Sequence, residues 1–316
     1  MIYTLTVNPA IDMNIATEQK LTNQVNRIDE AIYSPNGKGL NISFVLKHFG
    51  KDSGVLGFFG GFSGDYIVKE TEKKGIQVKP IWVEEATRIN VFLNENGEEY
   101  KLVNKGSFVN DEKQQDLLEL LECLDDMEYL AISGSLPPGI EESYYDKILD
   151  LCKKKNVEVI LDISSPKLKE LLKYRPLLIK PNDEELKEVF NLTVRDEEDI
   201  QDVLAMLHEK GAQNILLTMG EKGSYFYNGK DIYFTSTYKV TLVSSACAGD
   251  SALGSFLSIW LDNPEEVETA LKRSAAVGAN VAESNGIGDL ANVEKYMKEI
   301  KVRRVEPYEI DVKAII

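Results

Sequence analysis

The sequence predicts an α/β protein built on a doubly wound, mostly parallel sheet, with a small β-sheet acting as a lid. Three observations carry that prediction. Short apolar, β-branched runs at 53–59, 129–132, 158–161, 177–179 and 214–219 read as strands. Amphipathic patterns at 65–74, 112–123, 143–155, 183–190 and 199–210 read as helices between or after them, an alternation that covers both faces of a parallel sheet. Two stretches, 12–33 and 87–104, instead alternate polar with apolar residues, and the second contains the turn residues Asn94-Glu95-Asn96-Gly97.

In chain order, residues 1–7 form a first strand that begins at once, with no basic region or small-residue cleavage site, so no signal peptide is expected. The two alternating stretches define the lid (12–33 and 87–104), inserted into a body made of 1–11, 34–86 and 105–316. A sheet built from two such insertions suits a flap over the carboxyl ends of parallel strands, where open α/β proteins bind ligands; a decorative hairpin meets the same pattern. Helical periodicity returns at 249–261 and 265–283, both rich in Ala, Ser and Gly, which favours close helix packing. The tail at 302–316 has no clear period and is equally readable as strand, docked coil or disorder.

Bulk properties narrow the function. The 316 residues are 43% hydrophobic and 28% charged, without the roughly 18 consecutive apolar residues of a membrane helix. A net charge of −16 argues against a nucleic-acid surface, so a phosphate ligand needs a local basic pocket. Cys123, Cys152 and Cys247 are odd in number and widely spaced, which fits a reducing cytoplasm without structural zinc.

The strongest chemical signal is the run Ser244-Ser245-Ala246-Cys247-Ala248-Gly249-Asp250-Ser251 ahead of a small-residue helix. Backbone N–H groups converge at a helix start and form an anion hole, beside which Asp250 is placed to take a proton from an attacking hydroxyl. Asn36-Gly37-Lys38-Gly39-Leu40-Asn41 opens another helix: its glycines allow close backbone approach, Asn41 offers donors and acceptors, and Lys38 can reach a phosphate. Asp12 ends Asn8-Pro9-Ala10-Ile11-Asp12 with a carboxylate able to hold paired hydroxyls, and Arg88 and Asn90 open the second lid segment. Asn182 and Glu185, in Lys180-Pro181-Asn182-Asp183-Glu184-Glu185, suit the water shell of a magnesium ion, while Thr218-Met219-Gly220-Glu221-Lys222-Gly223 suits nucleotide phosphates. Taken singly, each pattern also fits a turn or a capped helix start.

Taken in order, NPAID (8–12), GKGLN (37–41), GGFSGD (60–65), TRIN (87–90), SGSLPPG (133–139), KPNDEE (180–185), TMGEKG (218–223) and AGDS (248–251) resemble the phosphofructokinase B branch of the ribokinase-like sugar kinases. Eight elements in the right order are far more specific than any one, and within that branch the chain is most similar to 1-phosphofructokinases and tagatose-6-phosphate kinases. The resemblance implies a ribokinase-like fold whose lid can be shared in a homodimer, with ATP and Mg2+ as cofactors and a sugar phosphate as substrate. It implies Asp250 as the base, with anion-hole amides from Ala248 and Gly249. Asp12, Gly37, Lys38, Gly39 and Asn41 would hold the sugar, and Arg88, Ser135 and Arg27 its existing phosphate. For the nucleotide it points to Lys180, Asn182, Thr218, Gly220, Gly223, Asn280 and Ser284, with Glu185 serving the metal through water.

Two departures from the family pattern stand out. Cys247 occupies the place of the first glycine in GAGD, where a side chain crowds the anion hole, and Asn36 stands where this branch commonly has glycine. The reaction expected is phosphorylation of fructose 1-phosphate to fructose 1,6-bisphosphate, with tagatose 6-phosphate as the alternative acceptor. A non-catalytic regulator that binds nucleotide or sugar phosphate is the reading of another class. A dehydrogenase is disfavoured, because no GxGxxG opens a helix after the first strand.

Overall fold

A computed structural model describes residues 1–17, 22–28, 30–95 and 98–307. The chain divides into two compact units, Met1–Val157 and Glu158–Ile316.

In the first unit the order is β1 (Ile2–Thr6), β2 (Ala10–Thr17), β3 (Ala31–Asn36), α1 (Lys38–His48), β4 (Ser53–Gly60), α2 (Gly61–Lys73), β5 (Gln77–Val83), β6 (Ile89–Glu95), β7 (Glu98–Leu102), α3 (Asp111–Cys123), β8 (Tyr129–Ser133) and α4 (Ser143–Lys155). Strands β5, β4, β1 and β8 lie side by side and all pair in parallel. Every residue of β1 and of β4 is buried, as a parallel strand covered on both faces requires. A separate four-stranded sheet has the order β3-β2-β6-β7. Ile11 of β2 is buried in one apolar cluster with Leu40, Val55, Phe59 and Ile67, which seats the small sheet on the first unit's core.

The second unit contains β9 (Glu158–Asp162), α5 (Leu168–Leu171), β10 (Leu178–Ile179), α6 (Asp183–Phe190), α7 (Glu197–Glu209), β11 (Asn214–Thr218), β12 (Ser224–Tyr227), β13 (Ile232–Thr235), α8 (Ala248–Trp260), α9 (Val267–Ala282), α10 (Val293–Met297) and β14 (Val302–Val305). Strands β9, β10 and β11 are parallel, and β11 to β14 continue antiparallel. Small residues bring α8 and α9 together: a Cβ on Gly278 would lie 3.7 Å from that of Ala252, and Ser274 Oγ donates to the Ala252 carbonyl at 3.0 Å.

The expected fold class holds, mixed α/β with a mostly parallel sheet and a small separate one. Strands β5, β12 and β13 fall outside the sequence reading, and β14 lies in the tail it left open; each has a reason. Pro80 interrupts the pattern of β5, and proline is tolerated there because β5 is an edge strand. The β12–β13 hairpin is made of two four-residue strands, too short for a period to show. Strand β14 occupies the start of the patternless tail, held by the Arg303–Glu197 and Arg304–Asp231 ion pairs, both at 2.5 Å. Asn96 and Gly97 of the proposed turn lie outside the described residues, while their flanks pair Glu95 with Glu98.

Candidate active site

In the first unit, parallel pairing of β2 with β6 sets Asp12 opposite Asn90, and β3 carries Asn36 to the place opposite Ala10. The Asp12 carboxylate is 7% exposed, and each of its oxygens receives one amide. Asn90 Nδ2 donates to Oδ1 at 2.9 Å and Asn36 Nδ2 donates to Oδ2. The Asn36 side-chain Oδ1 in turn accepts from Gly37 N at 2.7 Å and from Asn41 Nδ2 at 2.8 Å. Burial raises the Asp12 pKa above its ordinary value, against the two amide bonds and the charge of Arg88.

Helix α1 starts directly against β1. A Cβ on Gly39 would strike the Thr6 side chain and lie 3.1 Å from the Leu5 carbonyl, so only glycine permits this approach. Lys38, the first residue of α1, brings its charge near the buried Tyr145 phenol, and a Cβ on Gly134 would sit 4.0 Å from that of Lys38. The Arg88 guanidinium, lowered in pKa by burial, donates to the carbonyls of Asn8 at 2.8 Å, Pro9 at 3.4 Å and Asn104 at 2.7 Å. These bonds use three of the five N–H groups an arginine carries. Ser135 Oγ accepts from Asn8 Nδ2 at 3.4 Å. Asp12, Gly37, Lys38, Gly39, Asn41, Arg88 and Ser135 therefore share one region, whereas Arg27 is exposed on the β2–β3 connection and stands outside this hydrogen-bonded group.

In the second unit Cys247 is the N-cap of α8 at φ 63°, the left-handed region, and supplies no side-chain cap. Its carbonyl takes the Ser251 N–H at 2.9 Å, while the amides of Ala248, Gly249 and Asp250 belong to the first turn, where no carbonyl precedes them in the helix. Asp250 is buried in that turn. The Lys180 ammonium lies 3.5 Å from the position of a Cβ on Gly249 and pairs with Asp162 Oδ1 at 3.3 Å. Both members of that pair are buried.

Asn182 and Glu185 form a capping box at the start of α6: Asn182 Oδ1 accepts from Glu185 N at 2.7 Å and Glu185 Oε2 from Asn182 N at 3.0 Å. Glu185 Oε1 also accepts from the Ser164 hydroxyl. Thr218 is bridged to Asn182, with its N–H on the Pro181 carbonyl at 3.0 Å. Gly220 and Gly223 close the following turn at φ 54° and 105°, and a Cβ on Gly223 would collide with the Thr235 carbonyl. Farther along, Asn280 Nδ2 donates to Glu283 Oε1 at 3.1 Å, Asn280 Oδ1 accepts from Asn292 N at 3.0 Å, and Ser284 Oγ donates to the Asn280 carbonyl at 2.8 Å. Glu283 Oε1 also accepts from Tyr296 Oη at 2.6 Å.

Several partners of the proposed residues were not readable as such: Asn36 as a bond-maker, Asn104, Asp162, Glu283, Asn292 and Tyr296. Each acts on a group distant in the chain or through a side chain that has no local signature.

Residues 4–293 match the pfkB family carbohydrate kinases, and the chain belongs to that family. It is a carbohydrate kinase, for which the family implies ATP as phosphoryl donor, and the names of its relatives put it among the sugar-phosphate kinases. It is 50% identical to a D-tagatose-1-phosphate kinase of Klebsiella oxytoca over 96% of this chain and 99% of that one. It is 32% identical to a 1-phosphofructokinase of Bacillus subtilis over 96% of this chain and 100% of that one. The tetrameric inhibited form of phosphofructokinase-2 from Escherichia coli superposes with a TM-score of 0.84 at 24% identity, covering 94% of this chain and 99% of that one, a likeness of fold.

Proposed function

We propose that the chain transfers the γ-phosphoryl group of ATP to the C6 hydroxyl of a ketohexose 1-phosphate, releasing the 1,6-bisphosphate and ADP. The observation that carries the chemistry is the start of α8, where first-turn amides, the buried Asp250 carboxylate and the Lys180 ammonium meet. Asp250 accepts the hydroxyl proton as the C6 oxygen bonds to the γ-phosphorus and the bond to the β-phosphate oxygen breaks. Amides of Ala248 and Gly249, with Lys180, take up the charge on the moving group.

The acceptor falls to Asp12, Asn41, Gly37 and Gly39, and its phosphate to Lys38, Ser135 and the remaining N–H groups of Arg88, with Arg27 as a further cation. Thr218, Gly220, Gly223 and Asn182 serve the nucleotide phosphates, and Asn280 and Ser284 the adenine end. Among the described residues no cluster of three or more His, Cys, Asp or Glu gathers to cage a metal, and both Glu185 oxygens already accept hydrogen bonds. That donor set fits an ion carried by phosphate oxygens and water, which Glu185 meets through its remaining lone pairs. A magnesium ion so held would supply charge neutralisation to the nucleotide phosphates.

Fructose 1-phosphate is supported as acceptor by relatives named 1-phosphofructokinase at 32% and 33% identity, and its C4 epimer, tagatose 1-phosphate, by the relative at 50%. Both names carry the phosphate on C1, which favours these acceptors over tagatose 6-phosphate. No helix among the described residues is long and apolar enough to cross a membrane, and cytoplasmic residence is part of the proposal. Ile32 and Tyr33 on β3, with Leu102 and Val103 at the end of β7, are exposed apolar side chains of the small sheet, and a second copy of the chain is proposed to cover them.

The test is ADP release over a panel of ketohexose 1-phosphates, 6-phosphates and free ketoses. A kcat/KM for one 1-phosphate at least about tenfold above every 6-phosphate and free sugar is expected. Sugar-phosphate binding with no ADP release anywhere in the panel would instead make the chain a regulator.

A further inference from the structure

A hydrogen-bonded run of side chains crosses the base of the small sheet: Asn41 donates to Asn36, Asn36 to Asp12, and Asn90 to the other Asp12 oxygen. Oδ1 of the Asn90 side chain then accepts from Asn104 N at 3.2 Å. Asn36 is the joint of this run. It is the last residue of β3 and stands one position before the N-cap of α1. Its planar amide works in both directions, giving a proton to Asp12 and taking protons from Gly37 N and Asn41. A primary amide offers a donor and an acceptor side by side in one fixed plane. Glycine or alanine at 36 makes neither bond, and aspartate there would face the Asp12 carboxylate with a like charge.

We infer that Asn36 is a specificity-determining residue: by fixing the Asp12 carboxylate and the Asn41 amide in one relative orientation, it sets the preference between ketohexose 1-phosphates that differ only at C4. The inference rests on the acceptor reading above. The bond from Gly37 N ties the Asn36 amide to the start of α1, so Asp12 is oriented by the helix on one side and by β6 on the other. With one amide on each oxygen, the lone pairs of Asp12 left for a ligand point in set directions. A sugar hydroxyl donates to such a carboxylate and accepts from such an amide, and the two C4 epimers aim that hydroxyl to opposite faces of the ring. An oriented pair rewards one epimer, and a pair free to turn accommodates both. Asn36 acts through its neighbours and is a positioning residue.

The experiment measures kcat and KM for tagatose 1-phosphate and for fructose 1-phosphate in the unmodified chain, Asn36→Gly and Asn36→Ser, with thermal unfolding of each. The expected result is a change of about tenfold or more in the ratio of the two kcat/KM values, the size of one oriented hydrogen bond. The change should lie in the acceptor KM, with the KM for ATP moving less than about twofold. A ratio within about twofold of the unmodified value in a folded variant overturns the inference, as does failure of both variants to fold, which makes Asn36 a brace only. Absence of turnover on either epimer by the unmodified chain overturns the acceptor reading itself, and this inference with it.

Discussion

Lys180 places its Nζ 3.3 Å from Asp162 Oδ1, with both side chains buried, and 3.5 Å from where a Cβ on Gly249 would stand. A buried ammonium is retained where a carboxylate pairs with it, and this pair lies beside the first turn of α8. The helix start and the lysine thus form one positive wall, held from beneath by Asp162.

That wall predicts opposite responses at Gly249. The added methyl of Gly249→Ala meets Lys180 at an ordinary contact distance and sits in a helix, so stability should rise by up to about 1 kcal/mol. Turnover should fall by a factor on the order of 100 if this face receives the γ-phosphoryl group as proposed, because the methyl then occupies it. Thermal unfolding and steady-state kinetics on one preparation check both signs.

Cys247 carries a side chain at φ 63°, a conformation that costs a non-glycine residue roughly 1–2 kcal/mol. Cys247→Gly relieves that strain, at the expense of about 0.5–1 kcal/mol of added freedom in the unfolded chain. A net stabilisation below about 1 kcal/mol is expected, together with a lower KM for ATP. If turnover and ATP affinity both stay the same, Cys247 does not impair the anion hole.

Burial raises the Asp12 pKa, so the folded chain binds a proton there that the unfolded chain has already released once the pH exceeds 3.8. Its contribution to stability therefore declines as pH rises from 3.8 through the elevated folded pKa. In its proposed role Asp12 accepts most strongly from sugar hydroxyls when ionised. The acid limb of kcat/KM for the sugar phosphate should thus lie above pH 3.8, and Asp12→Asn should remove that limb along with most of the acceptor affinity.

The fold was legible wherever an apolar run was long enough to show a period, as in β4 and α4, and illegible in β12 and β13, which have four residues each. The candidate site was legible where its groups are contiguous, because Gly37 to Asn41 and Cys247 to Asp250 each open a helix. Links between distant residues were not. Nothing local announces that Asn90 meets Asp12 or that Asp162 meets Lys180, since strand pairing and neighbouring strand ends create those contacts. Glu185 shows the remaining ambiguity: one Asn-x-x-Glu spacing serves a capping box and a water-held metal equally, and the structure displays the cap. Arg88 is similar, a cation suited to phosphate that spends three donors on backbone carbonyls.

The proposed role of Asp250 is to take the proton of the attacking hydroxyl. Its most direct test is single-turnover phosphoryl transfer by Asp250→Asn, with binding of ATP and of the ketohexose 1-phosphate measured separately. A rate lower by a factor on the order of 100 to 10,000 is expected, with both affinities within a few-fold of the unmodified chain. Near-normal transfer by that variant would contradict it.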